Sequence, residues 1–320
     1  MKHIDQGDVE RLLPFPALVR TLREAFCADI SVPLRQTLKL PDETAPIGTS
    51  LLMPAWNRTG YYGVKLVNIF PGNAGLGLPG LHAVYALFDG HTGVPLATLD
   101  GDAITSRRTA AASALGVALL ANPDARRLLV VGAGRVARLL APAIASVREL
   151  SLVEVWNPTP ERAERCAAQW QAMGLRARPV HDLEGAVRAA DIVSCATLAT
   201  QPLIQAHWLQ PGSHLDLVGS FAPAMTEAEP ACFADAGVWV DTEEATQKSG
   251  DILNAMRAGC LAAIDVKGTL FDLCRGACEG RSSAAQRTVF KAVGSALEDL
   301  AAAVMVYGQG HAEGAWRLKH

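Results

Sequence analysis

The sequence has no excess of charge of either sign and few aromatic rings. Its 29 Lys and Arg stand against 32 Asp and Glu, a formal charge of −3, and Phe, Trp and Tyr make up 6% of the chain. So balanced a composition gives no basic footprint for nucleic acid, and sparse aromatics give no stacking platform for single strands. Long apolar runs are missing as well. Leu66 to Phe88 is uncharged, but Pro71, Gly72, Asn73, Gly75, Gly77, Pro79 and Gly80 interrupt it, so we expect no membrane-spanning helix and no membrane partner. Met1-Lys2-His3-Ile4-Asp5 carries charge where a secretory signal needs an apolar core, which points to a cytoplasmic protein. The seven cysteines lack paired metal spacing. Cys274 and Cys278 could share a helix face, yet no second pair or neighbouring His accompanies them, so we expect free thiols and no metal.

What is present is a chain of 320 residues, half of them hydrophobic, enough for about two domains with real cores. The first third mixes an opening helix, roughly Val9 to Asp29, with extended segments around Gly48 to Ala55, Gly63 to Phe70 and His82 to Phe88. Pro71-Gly72-Asn73, Asp89-Gly90 and Thr92-Gly93 punctuate those segments as turns, an α+β pattern. An Ala-rich helix, Ala103 to Leu120 with Asp102 as its expected cap, follows and ends at Asn122-Pro123. From Arg127 short apolar runs alternate with helical patterns: Leu128 to Val131, Leu152 to Trp156, Ile192 to Cys195, His214 to Val218 and Val238 to Val240. That rhythm predicts a parallel sheet with helices on both faces. A last helix is expected over Thr288 to Tyr307, with Val289, Phe290, Val293, Leu297, Leu300, Ala301 and Val304 at helical spacing, returning to the first domain.

Leu128-Leu129-Val130-Val131 runs into Gly132-Ala133-Gly134-Arg135-Val136-Ala137 and then a helix, the order of a Rossmann phosphate loop. Gly132 permits the tight turn, Gly134 lets backbone approach a pyrophosphate, and Ala137 allows close helix packing. The bland reading is a tight strand-to-helix turn without a ligand. About 20 residues on, where an NAD-selective site carries an acid, the second strand ends in Asn157. An uncharged residue there removes repulsion against a 2′-phosphate that Thr159 and Arg162 could bind. NADP(H) is thus preferred, with NAD(H) as the alternative, in which case Asn157 merely caps a helix and Arg162 is solvated. Arg135 and Val136, within the phosphate loop, are further expected cofactor contacts.

Lys65 interrupts an apolar strand. Either it points to the solvated face or it is buried against a carboxylate, since an unpaired buried cation is costly. Arg107 and Arg108 lie among small residues of the Ala-rich helix, and spacing alone does not say which points inward.

Several stretches together resemble the ornithine cyclodeaminase/mu-crystallin family over nearly the whole chain. They are Gly63-Val64-Lys65-Leu66-Val67-Asn68 with Pro71 and Asn73, Thr92-Gly93-Val94-Pro95-Leu96-Ala97, and Ile104-Thr105-Ser106-Arg107-Arg108-Thr109-Ala110-Ala111. The Gly132-Ala133-Gly134 loop, Val240-Asp241-Thr242, Ser249-Gly250-Asp251-Ile252 and Val289-Phe290-Lys291-Ala292-Val293-Gly294 continue it. The resemblance implies an α/β chain in which a Rossmann doubly wound parallel sheet, 122–289, is inserted into a discontinuous α+β domain, 1–121 plus 290–320. That outer domain would bind substrate and form a homodimer. By the same resemblance Lys65 and Arg108 hold the carboxylate of a small amino acid or cyclic imine, with Arg35 in Pro33-Leu34-Arg35 as a third cation. The resemblance likewise implies cofactor contacts from Arg108, Thr197, Val218 and Gly219, and His82 falls where the family has a polar residue near the cofactor, although a structural histidine is equally compatible with the sequence.

One position departs from the family pattern. Where ornithine cyclodeaminases carry a catalytic aspartate, Val218-Gly219-Ser220-Phe221-Ala222-Pro223 places Phe221. Deaminating cyclisation needs proton traffic that a carboxylate serves and a phenyl ring cannot, whereas a protonated C=N already attracts hydride. Mid-strand Asp216 is a poor substitute. The expected activity is therefore reduction of a cyclic ketimine, pyrroline-2-carboxylate or piperideine-2-carboxylate, with Lys65 as proton donor or imine neighbour and Arg108 as carboxylate anchor. The alternatives are ornithine cyclodeamination, alanine-dehydrogenase-like chemistry, and a non-catalytic NADPH and small-ligand binder.

Overall fold

The computed structural model describes residues 1–41, 47–58 and 60–309, and the chain divides into two units, Met1–Arg108 with the segment from Ser295 on, and Thr109–Gly294. The first unit opens with β1 (Lys2–Ile4), α1 (Gln6–Leu12), α2 (Phe15–Cys27), β2 (Ile30–Ser31), β3 (Gln36–Leu40), β4 (Gly48–Asn57), β5 (Tyr61–Ile69), β6 (Leu81–Asp89) and β7 (Pro95–Asp100). Helix α3 (Gly101–Leu120) carries the chain into the second unit. There follow β8 (Arg127–Val131), α4 (Ala137–Ala145), β9 (Leu152–Trp156), α5 (Pro160–Ala172), β10 (Ala177–Pro179), α6 (Leu183–Ala189), β11 (Ile192–Cys195), β12 (His214–Leu217) and β13 (Gly237–Val240). After α7 (Ala245–Lys248), α8 (Gly250–Arg257), β14 (Val266–Thr269), α9 (Leu270–Arg275) and β15 (Thr288–Lys291), the chain returns to the first unit as α10 (Ala296–Gln309).

The first unit is a twisted sheet in the order β1-β7-β6-β5-β4-β2, with β3 also on β4 and every pair antiparallel except β1 with β7. Alternation along β5 buries Gly63, Lys65 and Val67 and leaves their neighbours half-buried. The same face carries Met53, Ala55, Tyr85, Leu87, Ala97 and Leu99, and α10 packs on it along β4, β5 and β6 as well as against α2. Helix α2 buries Phe15, Leu18, Val19, Leu22, Ala25 and Phe26 on one stripe. Each large side chain so buried contributes about 1.5–3 kcal/mol, so tertiary packing rather than helix propensity holds this short helix.

The second unit is an eight-stranded sheet in the order β10-β9-β8-β11-β12-β15-β13-β14, parallel throughout. Its strands are short and apolar because both faces are covered. Leu128 to Val131 and all four residues of β11, β12, β13 and β15 are buried.

Local boundaries differ from expectation at three places, each for a physical reason. The opening helix is two helices, because Pro14 lacks the N–H that would continue α1 and instead starts α2. Helix α3 is capped by Asp100, whose Oδ1 accepts the Ala103 N–H at 2.7 Å, rather than by Asp102. The helix expected over Thr288–Tyr307 is a strand followed by a helix. Thr288–Lys291 lies fully buried between β12 and β13, and Gly294, with φ of +81°, turns the chain before α10 begins. The two units divide at Arg108/Thr109 and Gly294/Ser295. Among the described residues no helix is long and apolar enough to cross a membrane.

Candidate active site

Strand alternation turns Lys65 toward α10, not toward solvent, so the solvated reading of this lysine is incorrect. Its Nζ lies 2.6 Å from Asp299 Oδ2, with side-chain exposures of 2% and 0%. Arg108, not Arg107, is the inward arginine of α3. Its Nε donates to Asp299 Oδ1 at 2.8 Å and its Nη1 to Glu298 Oε2 at 2.6 Å. Arg107 instead donates through Nε and Nη2 to the Leu13 carbonyl and lies over the Phe15 ring. Two cations and two carboxylates thus share a buried space between β5, α3 and α10, and Asp299 bridges both cations with its two oxygens. Neither acid was singled out from the sequence. The signal was present: two adjacent acids in a helix whose neighbours Ala296, Leu297, Leu300 and Ala301 are all apolar.

Burial and pairing act oppositely on these groups. Burial lowers the Lys65 pKa to about 8, against Asp299, which holds it up, while like-charged Arg108 pushes it down further. For Asp299 burial would raise the pKa, but Arg108 and Lys65 together outweigh it and hold the carboxyl below its ordinary range. Asp299 has two cations and Lys65 only one touching carboxylate, hence the different balance. Arg108 stays charged, its desolvation more than offset by Asp299 and Glu298. By donor count, three of the five Arg108 N–H groups and two of the three on Lys65 are not spent on these acids. Tyr85, opposite Lys65 in the β5–β6 register, lies across Gly63, where an added Cβ would fall 2.0 Å from the Tyr85 hydroxyl. The glycine of the Gly63-Val64-Lys65 stretch is therefore required by the buried tyrosine ring.

In the second unit, β8 leads through Gly132-Ala133-Gly134 into α4. Gly132 has φ of +114° and an added Cβ would sit 2.6 Å from the Ala196 carbonyl, whereas a Cβ at exposed Gly134 would meet nothing within 4 Å. A tight turn followed by open space over backbone at a helix start fits a dinucleotide pyrophosphate. Arg135 is exposed and Val136 half-buried beside it. At the end of β9, Asn157 Oδ1 accepts the Thr159 N–H at 2.9 Å, so Asn157 orders the turn into α5, while Thr159 and Arg162 are exposed. Thr197 follows β11, and buried Val218 and Gly219 follow β12.

Of the remaining candidates, Arg35 is half-buried in the coil between β2 and β3, and His82 is exposed on β6 opposite Asn68. Phe221 is 44% exposed on the loop after β12. Asp216 is buried mid-strand, where Ser113 donates to its Oδ2 at 2.8 Å and Ser194 donates to the same oxygen. Burial raises its pKa to about 6, against the two serine hydrogen bonds and the Lys291 charge. No group of three or more His, Cys, Asp or Glu able to hold a metal occurs among the described residues.

A parallel Rossmann sheet with a glycine phosphate loop, in a chain whose other unit buries a lysine and an arginine on shared carboxylates, defines a dinucleotide-dependent class of protein. The sequence profile of the ornithine cyclodeaminase/mu-crystallin family matches residues 5–314, and the chain belongs to that family. It is 40% identical over 257 residues to a Δ1-pyrroline-2-carboxylate reductase of Paracoccus denitrificans, covering 80% of this chain and 81% of that one. Among solved structures, a Δ1-pyrroline-2-carboxylate reductase of Thermococcus litoralis in complex with NADH and L-proline superposes with a TM-score of 0.90 at 29% identity, covering 97% of this chain and 98% of the other. An archaeal alanine dehydrogenase dimer with bound NAD gives 0.89 at 28% identity, with 98% of each chain covered. These relatives support a nicotinamide cofactor and an oxidoreductase activity.

Proposed function

We propose that this protein is an NAD(P)H-dependent reductase of cyclic ketimines that carry one carboxylate, pyrroline-2-carboxylate or piperideine-2-carboxylate, yielding the cyclic amino acid. The nicotinamide, when bound, supplies the hydride. Gly132, Gly134, Arg135 and Val136 hold the pyrophosphate end of the cofactor, and Thr197, Val218 and Gly219 its other half. Asn157, Thr159 and Arg162 favour NADPH over NADH, because no carboxylate at the end of β9 repels a 2′-phosphate.

The outer unit, in this reading, binds the substrate. Arg108, fixed by Glu298 and Asp299, offers its remaining N–H groups to the substrate carboxylate, with Arg35 as a further cation. Held so, the imine presents one face to reduction. Lys65 keeps a proton at Nζ near neutral pH and delivers it, or its charge, to the imine nitrogen; a lysine with a pKa near 8 is better matched to that task than an ordinary one. Phe221 is the residue of the second unit that bears on the type of reaction. The observation that favours reduction over deaminating cyclisation is this exposed phenyl ring after β12, where the family's cyclodeaminases carry an aspartate.

Purified protein supplied with each cyclic imine and NADPH or NADH, followed by absorbance of the reduced cofactor, tests the reading. Turnover of at least one imine is expected, with little proline or ammonia formed from ornithine and catalytic NAD. Rapid conversion of ornithine would replace this reading with cyclodeamination, and amine-dependent reduction of pyruvate would replace it with alanine dehydrogenation. Cofactor binding without any turnover would leave a binding protein.

We further propose a homodimer. The face of the first sheet opposite α10 carries Leu52, Pro54, Trp56, Tyr62, Val64, Leu66, Val84, Ala86 and Phe88, with Trp56 and Val84 each 42% exposed and Tyr62 stacked on Phe88. A contiguous apolar sheet face of this kind fits a second copy of the same chain.

A further inference from the structure

Lys291 ends β15 at the carboxyl edge of the parallel sheet, in register with Leu217 at the end of β12 and Val240 at the end of β13. Its side chain is fully buried, with Nζ 3.3 Å from Asp251 Oδ2 and 4.0 Å from Glu227 Oε2. Neither the cofactor loop nor the Lys65 cluster uses these three residues. Their hydrogen bonds nevertheless converge on the cofactor side of the sheet. Glu227 Oε1 accepts the Thr197 N–H at 2.7 Å and the Thr197 hydroxyl at 2.9 Å, while Oε2 accepts the Gly219 N–H at 2.7 Å. One carboxylate thus ties the segment after β11 to the segment after β12.

The segment that carries Glu227 is itself fixed. Asp251 Oδ1, at the start of α8, accepts the N–H groups of Glu227 at 2.7 Å and Ala228 at 3.2 Å and the Thr226 hydroxyl at 3.0 Å. Gly219 fits only without a side chain, since a Cβ there would lie 2.1 Å from the Thr197 carbonyl and 2.3 Å from Glu227 Oε1. Two buried carboxylates share this space; burial and the neighbouring Asp251 push the Glu227 pKa up, and the Lys291 charge and the Thr197 hydrogen bonds act against that rise. An ionised carboxylate accepts at both oxygens, whereas a carboxamide accepts at one only. The Thr197–Glu227–Gly219 bridge therefore depends on Glu227 staying charged.

Ligands of doubly wound sheets bind outside the carboxyl ends of the strands, which is where Thr197 and Gly219 lie. We propose that Lys291 and Glu227 are positioning residues for the nicotinamide dinucleotide: Lys291 keeps Glu227 ionised, and Glu227 sets the spacing of the two segments that receive the cofactor. The inference rests on the reading that this unit binds the cofactor.

Glu227→Gln, Lys291→Met and the double variant, titrated with NADPH and NADH by quenching of tryptophan fluorescence, test it alongside melting temperatures. Glu227→Gln is expected to weaken cofactor binding about tenfold or more, because one of the two N–H groups then faces an amide NH2. The double variant should regain melting temperature relative to Lys291→Met, since it removes one unpaired buried charge, yet bind cofactor as weakly as Glu227→Gln. Wild-type Kd in folded Glu227→Gln overturns the inference. So does a double variant whose Kd recovers together with its melting temperature, because the cluster is then structural only. If the wild-type protein binds neither cofactor, the underlying reading fails and takes the inference with it.

Discussion

Lys65 and Asp299 meet at 2.6 Å in a space where neither side chain is more than 2% exposed, although 234 positions of sequence separate them (299 − 65). The pair sets the pH at which Lys65 loses its charge. Lys65, with its pKa lowered from 10.5 to about 8, loses its proton well before an unfolded lysine would. Imine reduction measured as kcat/KM should therefore fall as pH rises through about 8, because the deprotonated amine neither attracts a carboxylate nor donates a proton.

Asp299→Asn tests the same pair from the other side. Asp299 holds the Lys65 pKa up, so its neutralisation should move the alkaline limb of the pH profile to lower pH, and activity at pH 8 should drop about tenfold or more. Breaking a buried pair also costs about 3–5 kcal/mol, which a lowered melting temperature would record. An alkaline limb that stays in place in a folded variant would separate Lys65 from the reaction.

Asp216 supplies a prediction in the second unit that concerns stability alone. Its pKa is raised to about 6, so the native carboxyl holds its proton between roughly pH 4 and 6 while the unfolded one has released it. The stability contributed by the protonated form is present below the unfolded pKa and is lost as pH rises through the folded one. Asp216→Asn keeps an acceptor for Ser113 and Ser194 without a charge, and should raise the melting temperature by several degrees at pH 8 with little effect at pH 4. An equal effect at both pH values would show that the buried charge is not the cause.

Asn157→Asp should invert cofactor preference. The new carboxylate still accepts the Thr159 N–H that Asn157 Oδ1 accepts at 2.9 Å, so the turn into α5 survives, but it repels a 2′-phosphate. The NADPH to NADH ratio of kcat/KM is expected to fall about tenfold or more, a change of about 1.4 kcal/mol. An unchanged ratio would remove the end of β9 from cofactor selection.

Val84→Arg, placed on the exposed apolar face of β6, should convert a dimer into a monomer. Sedimentation at several concentrations measures this, and a variant that still sediments as the dimer would move the interface elsewhere. Since Val84 lies opposite the face that carries Tyr85 and α10, the core of the unit should stay intact.

The parallel sheet was legible because strands buried on both faces are written as short apolar runs between helical patterns, and Gly132 to Ala137 marks one strand-to-helix turn chemically. The end of the chain was less so. Thr288 to Lys291 is too short for its period to separate strand from helix, and only the neighbours β12 and β13 decide the matter. Lys65 and Arg108 were visible as cations in apolar surroundings, but their partners Glu298 and Asp299 were not. Spacing reveals which residues share a face, whereas a pairing across some 190 positions is set by the topology alone. The same limit hid Lys291, Glu227 and Asp251, which come from a strand end, a loop and a helix start.

The chain leaves the first unit after Arg108 and re-enters it at Ser295, and this ordering governs how the protein is made. A ribosome must synthesise all of Thr109–Gly294 before it supplies Glu298 and Asp299. The Rossmann unit is contiguous and emerges complete, while the first sheet waits with two uncompensated cations for a helix that arrives late. The charges that neutralise Lys65 and Arg108 are thus also the closure of the fold: only a chain translated past Asp299 can bury them.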